Sequence, residues 1–87
     1  MMRDKIIELY GNHTEEGLLF ADGLDDAIVG ICPNTLRVVY SRTKVINIFI
    51  KDDEMDEFDA IEHAEYNTFS AYVGEQTPIF IDDFDYD

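Results

Sequence analysis

Basic side chains are missing from the C-terminal two-fifths of this chain. Residues 52–87 contain thirteen acidic residues and no Lys or Arg, whereas residues 1–51 contain six basic and seven acidic residues. The formal net charge of −14 therefore lies almost entirely in the C-terminal part. Because a field of this sign repels nucleic acid and attracts basic surfaces, the absence predicts binding to a basic partner and no direct binding to nucleic acid.

Cysteine and long apolar runs are also scarce. The single Cys32 excludes an internal disulfide and is typical of a reducing compartment. No apolar run approaches the roughly 20 residues that a membrane-spanning helix needs. The apolar stretch that follows the basic start at residues 1–5 is too short for a signal peptide. We therefore expect a cytosolic protein that has no contact with membranes.

The composition nevertheless predicts a folded chain. The sequence is 46% hydrophobic and 13% aromatic, well above the level of a disordered acidic tail. Its 87 residues are enough for one small acidic domain, residues 1–87, with a thin core. The alternation of acidic and aromatic residues over 82–87 indicates a tail that is frayed.

The hydrophobic pattern predicts an α+β fold in the order α-β-β-β-α-α-β, with a small, mostly antiparallel sheet packed against two helices of the C-terminal half. Residues 42–51 fit either a helix or a β run, and we favour the helix because Ser41 can cap it. Turn residues 32–35 predict a hairpin between the second and third strands. The predicted helices are 2–10, 42–51 and a segment from Asp56 to Val73, and the predicted strands are 17–21, 27–31, 36–40 and 78–81.

Two predicted helices have specific end signals and apolar faces. In the first helix, Ile6, Leu9 and Tyr10 share one face. In the last, Asp56 is the expected N-cap, and Gly74 is the expected stop after Val73. Its expected apolar residues are Phe58, Ile61, Ala64, Thr68 and Tyr72, with a staple between Met55 and Ala60.

The spacing of the chemically active residues does not predict a metal site, a cofactor or an enzyme. If the acidic run from Asp52 were a calcium loop, Glu57 would replace the required Gly and His63 would replace the final Glu. Asp22 and Asp26 could converge in a turn, although turn chemistry and solvation explain them better. Cys32 has no base at a fixed spacing that would make it a nucleophile.

The acidic residues of the C-terminal part are the candidate partner-binding surface. Such a run is often only a solvated face, but helices usually offset acids with bases one turn away, and here no base does so. Acids one helical turn apart repeat at about 5–6 Å, close to the roughly 7 Å repeat of DNA phosphates, so the surface could mimic nucleic acid. The candidate residues are Asp52, Asp53, Glu54, Asp56, Asp59, Glu62, Glu65, Asp82, Asp83 and Asp85.

Aromatic residues lie among these acids. They could anchor an interface, or most of them could fill the small core instead. The residues concerned are Tyr66, Phe69, Phe80, Phe84 and Tyr86.

Several stretches resemble a group of small, uncharacterised bacteriophage proteins. The resemblance rests on residues 20–30 (FADGLDDAIVG), the pair Val39-Tyr40, the spacing of Met55 and Ala60, and residues 71–81 (AYVGEQTPIFI). It implies a phage gene product in the cytoplasm of a host bacterium and carries no catalytic residues. Small acidic phage proteins are often inhibitors of host machinery, including DNA mimics and anti-CRISPR proteins.

These observations together predict a non-enzymatic phage protein that binds and inhibits a host nucleic-acid-binding protein or complex through its acidic C-terminal face. The alternative is a phage accessory or structural domain, homodimeric, whose acidity serves solubility. The apolar stripe of residues 42–51 bears on this choice, because a stripe too wide for one domain to cover favours a homodimer. Its members are Val45, Ile46, Phe49 and Ile50.

Overall fold

The computed structural model describes residues 2–11, 18–21 and 23–83, and these residues form the expected α+β fold. A short 3-10 turn precedes the first strand, and a π-helical segment follows the third helix. The elements in chain order are α1 (Met2–Tyr10), the 3-10 turn (Asp25–Ala27), β1 (Ile28–Cys32), β2 (Arg37–Ser41), α2 (Arg42–Asp52), α3 (Glu57–His63), the π-helical segment (Ala64–Phe69) and β3 (Ile79–Ile81).

The three strands form a mixed sheet in the order β1-β2-β3. β1 and β2 are antiparallel and form the predicted hairpin, whereas β3 runs parallel to β2, with Val39 opposite Ile79 and Ser41 opposite Ile81. The sheet is therefore mixed, with one antiparallel and one parallel pair of strands, and its strands are not all antiparallel. The chain leaves β2 directly into α2 and returns through α3, and a crossover of this kind places the next strand parallel to the first.

The strand predicted over 17–21 is absent from its described part. Residues 18–21 are irregular and lie against the core, and the backbone N–H of Ala21 donates to the Tyr40 hydroxyl at 2.7 Å. The Ala21 carbonyl accepts the Leu24 N–H at 3.3 Å, so the backbone of this residue bonds to a side chain and to a local turn, and its apolar neighbours reflect burial against the core.

Residues 42–51 are helical, as predicted. The Ser41 side chain caps α2 by accepting from the Lys44 backbone N–H at 3.2 Å. Val45 and Phe49 are buried, while Ile46 and Ile50 are half-buried and pack against the core. One domain therefore covers most of the apolar stripe of α2.

The last helix begins as predicted and ends early. Asp56 caps α3 by accepting from the Asp59 N–H at 2.8 Å. The helical conformation ends at Phe69 and not at Val73. The reason is local, because Val73 donates its backbone N–H to the Thr77 hydroxyl, which in turn donates to the Gly74 carbonyl. Gly74, with φ of 109°, belongs to this loop and does not cap the helix.

The core lies where the helices meet one face of the hairpin. In α1, Ile6 is buried as expected, but Leu9 is 51% exposed, so its assignment to the buried face is wrong. α3 and the π-helical segment each contribute one buried alanine, Ala60 and Ala64, and these small side chains allow α3 to pack against α2. The buried apolar residues are Ile6, Leu24, Ala27, Ile28, Val38, Tyr40, Val45, Phe49, Ala60 and Ala64.

Among the described residues, the longest helix is α2, and no helix combines the length and apolar character needed to cross a membrane.

Candidate acidic interaction surface

The connection between α2 and α3 is a sharp corner built almost entirely from acidic residues. The backbone N–H groups of Asp53 and Met55 both donate to the Phe49 carbonyl, which closes the end of α2. Met55 packs against the core, and Glu54 adopts a left-handed conformation with φ of 57°. We call this exposed group the acidic corner; it consists of Asp52, Asp53, Glu54, Asp56, Glu57, Asp59 and Glu62.

The two helix ends at the acidic corner have opposite effects on its charges. Asp56, Glu57 and Asp59 lie at the N-terminus of α3, where the helix dipole favours negative charge. Asp52 and Asp53 lie at the C-terminus of α2, where the dipole disfavours it. The unfavourable half of the corner gains most from an approaching positive charge.

None of these acids has a basic partner among the described residues. The salt bridges found there join Arg3 to Asp25 and Arg42 to Glu65 and Asp82. Lys51 is next to Asp52 in the chain and lines the same shallow depression, yet the two form no ion pair within 4 Å. The acidic corner therefore presents unpaired negative charge to solvent.

Three other acids of the predicted surface, Glu65, Asp82 and Asp83, instead interact with Arg42 or Ser41 within the domain. Arg42 forms a charged hydrogen bond with Glu65, lies 3.5 Å from a carboxylate oxygen of Asp82 and stacks over the Phe69 ring. The Ser41 hydroxyl donates to Asp83 at 2.5 Å. The predicted surface is thus divided into a free corner and an internally paired cluster, and Asp85 lies outside the described residues.

The aromatic residues are divided in a similar way. The ring centroids of Phe69 and Phe80 lie 5.1 Å apart, and the Phe80 ring stacks on the Tyr40 ring, so both phenylalanines pack against the core. Tyr66 is 76% exposed and remains available for contacts. Phe84 and Tyr86 lie outside the described residues.

The predicted apolar face of the last helix is correct at Ala64 and wrong at Phe58 and Ile61. Phe58 is 70% exposed and Ile61 is 39% exposed, whereas Ala60 and Ala64 are fully buried. Ala60, predicted only as a contact of Met55, is buried together with Ala64, and the His63 ring meets the Phe49 ring edge-on with their centroids 4.9 Å apart. The small side chain of Ala60 carries little weight in a hydrophobic pattern that contains the much larger Phe58 and Ile61, so its buried position was not predicted. Glu57 was also omitted from the predicted surface, although it is exposed in the acidic corner.

The residues considered for catalysis and metal binding lie in different parts of the structure. Over residues 2–11, 18–21 and 23–83, no three His, Cys, Asp or Glu side chains are arranged to hold a metal ion. Asp22, one half of the weaker metal candidate, lies outside these residues. Cys32 lies at the end of β1 in the hairpin, where its contacts are with Thr35 and Asn34, and His63 contacts Phe49 and Asn67.

A cleft of about 580 Å³ lies between residues 19–21, the end of α3 with the π-helical segment, and the stretch 71–80 that leads into β3. Its walls are mainly apolar, and three of its polar side chains have partners: His63 bonds to Asn67, and the Thr77 hydroxyl joins Val73 to Gly74. Cys32 does not line it. The cleft has the volume of a small-molecule site.

Comparison with protein-family models, with curated proteins and with solved structures finds no match to this chain. Its function is therefore inferred from the residues of the site.

Proposed function

We propose that this chain is a non-enzymatic phage protein that binds and inhibits a host nucleic-acid-binding protein in the bacterial cytoplasm. The observation that carries the proposal is the acidic corner, seven exposed acids with no ion-pair partner among the described residues. The resemblance to small bacteriophage proteins supplies the biological context.

The spacing of the corner supports recognition of a basic groove. Asp59 and Glu62 are three residues apart on α3, and neighbours at this spacing are about 5–6 Å apart on a helix surface. A nucleic-acid-binding protein places its Lys and Arg side chains to meet phosphates about 7 Å apart along a strand. Carboxylates at a comparable spacing can occupy the same basic side chains.

The overall field supports the same kind of partner. A net charge of −14 accelerates encounter with a basic protein and disfavours nucleic acid and acidic membrane surfaces. An interface of this type depends on salt, since at about 0.15 M the screening length is only about 8 Å.

The experiment compares two double charge reversals that change the net charge equally. Asp52→Lys/Glu62→Lys alters the acidic corner and keeps the Asp56 cap, whereas Asp4→Lys/Glu8→Lys alters exposed acids of α1. Immobilised wild type captures proteins from bacterial lysate at low salt, and duplex DNA is added as competitor. We expect a nucleic-acid-binding protein that DNA displaces, that the α1 variant retains and that the corner variant loses.

Equal capture by both variants would show that net charge alone attracts the proteins, and it would refute a specific surface. Capture of no nucleic-acid-binding protein by wild type would favour the accessory or structural role, in which acidity serves solubility.

A further inference from the structure

The outward face of α3 carries large apolar side chains beside the acids. Phe58, Ile61 and Tyr66 are 70%, 39% and 76% exposed. Their spacing of three and eight residues places them on one side of the helix and its π-helical extension, together with Glu62 and Glu65. We call Phe58, Ile61 and Tyr66 the apolar ridge.

Packing against the core accounts for the position of α3 but not for the large side chains of the apolar ridge. Ala60 and Ala64 are the residues of this region that are fully buried, and they lie opposite the ridge. α3 thus packs through its smallest side chains and presents its largest to solvent. Single exposed apolar residues are ordinary, but several on one face beside a charged rim are typical of an interaction surface.

Charge identifies the kind of occupant. A second copy of this chain would bring another −14 into contact with the acidic corner, so electrostatics opposes self-association through this face. The corner attracts a positively charged surface, and buried aromatic residues supply much of the affinity at protein interfaces. A protein surface with basic residues around an apolar pocket complements both the acidic corner and the apolar ridge.

We propose that the apolar ridge inserts into an apolar pocket within the basic surface of a protein partner, so that the acidic corner provides attraction and the ridge provides selectivity. This inference rests on the proposed function and adds the apolar requirement. Nucleic-acid-binding surfaces commonly combine Lys and Arg with aromatic side chains that stack on bases, and such surfaces have the required chemistry.

The test selects binders from a library of random-sequence peptides on immobilised wild-type protein at about 0.15 M salt. We expect the enriched peptides to combine Lys or Arg with aromatic or aliphatic residues. The variant Phe58→Ser/Ile61→Ser should enrich basic peptides that lack the apolar positions. It should also bind the peptides selected on wild type at least about tenfold more weakly, as expected for the loss of interface anchors.

Leu9→Ser is the matched control, because Leu9 is 51% exposed on α1, outside the ridge. It should enrich the same peptides as wild type. Circular dichroism verifies the fold of each variant, and Tyr66→Ser, at the most exposed ridge position, repeats the test if the double variant unfolds.

The outcomes separate the two proposals. Enrichment of basic peptides without apolar positions on wild type would overturn the ridge and leave the proposed function standing. Enrichment of apolar peptides without basic residues, or no enrichment at all, would overturn both. Loss of binding in Leu9→Ser equal to that in the ridge variant would also overturn the ridge, because the effect would not belong to this face.

Discussion

At the scale of single residues, Cys32 has an environment that favours its thiolate. The Thr35 side chain hydrogen-bonds to the sulfur and lowers the pKa of the thiol, the backbone N–H groups of Thr35 and Asn34 add to this, and the Arg37 charge contributes least. These contacts follow from the tight hairpin turn, in which the Leu36 N–H closes on the Cys32 carbonyl at 2.7 Å. The lone cysteine thus gains reactivity from a turn and not from a catalytic base.

Alkylation of Cys32 by iodoacetamide should accordingly reach its half-maximal rate at a lower pH than alkylation of an unstructured cysteine. Thr35→Ala should move this midpoint back up, since it removes the largest stabilisation of the thiolate. Because the pKa is lowered in the folded state, the linked stabilisation is complete above the unfolded thiol pKa and is lost as the pH falls through the folded pKa. Thr43→Ala, at an exposed position of α2, is the control, and an unchanged midpoint in Thr35→Ala would refute the assignment.

Glu54 is the strained residue of the acidic corner. Its φ of 57° is unfavourable for a side chain with a Cβ atom, and it lies among like charges. We expect Glu54→Gly to raise the free energy of unfolding by about 0.5–1 kcal/mol, since glycine relieves the strain at the cost of a more flexible unfolded chain.

Glu54→Gln separates the two causes in a denaturant titration, because it removes the charge and retains the Cβ atom. A stabilisation that is equal in Glu54→Gly and Glu54→Gln would show that charge repulsion dominates and that the left-handed conformation costs little.

At the scale of elements, a hydrogen bond from the Ala21 backbone to the Tyr40 hydroxyl connects residues 18–21 to the sheet. The Tyr40 side chain is fully buried in β2, and its hydroxyl accepts the Ala21 N–H at 2.7 Å. The segment that was expected to be a strand is thus held by apolar packing and by this contact. Its attachment is local, so it can open without loss of the sheet.

Tyr40→Phe should lower the free energy of unfolding by about 0.5–1.5 kcal/mol, the usual net value of one hydrogen bond. It should also accelerate amide exchange at Ala21 more than at Val39, whose strand pairing remains. Equal acceleration at both amides would mean that the hydroxyl supports the whole sheet.

At the scale of the whole molecule, self-repulsion opposes compactness. The net charge is −14, and the three salt bridges found among the described residues engage only two of the three arginines. Salt weakens repulsion and attraction alike, but in this chain repulsive pairs outnumber attractive ones. The free energy of unfolding should therefore increase with salt.

We expect the thermal midpoint to rise as sodium chloride is increased towards about 1 M, where the screening length is about 3 Å. The rise should be smaller in Asp4→Lys/Glu8→Lys, which reduces the repulsion. A midpoint that falls with salt in wild type would show that ion pairs such as Arg42–Glu65 outweigh the repulsion.

The sequence by itself determined the elements whose signals are local. The helices α2 and α3 begin after Ser41 and Asp56 because these side chains cap nearby backbone N–H groups. The hairpin follows from a turn between two β-branched runs. The concentration of acids after residue 51 needs no structure to be seen. These features depend on residues within a few positions of one another.

Only the tertiary structure decided which side chains face the core and which acids remain free. β3 is parallel because the chain crosses over through α2 and α3, and Ala60 is buried in place of Phe58 because α3 approaches α2 closely. Arg42 removes Glu65 and Asp82 from the predicted surface across distances of 23 and 40 residues in the chain. Such long-range pairings depend on how the elements pack, and periodicity and charge count contain no information about that packing.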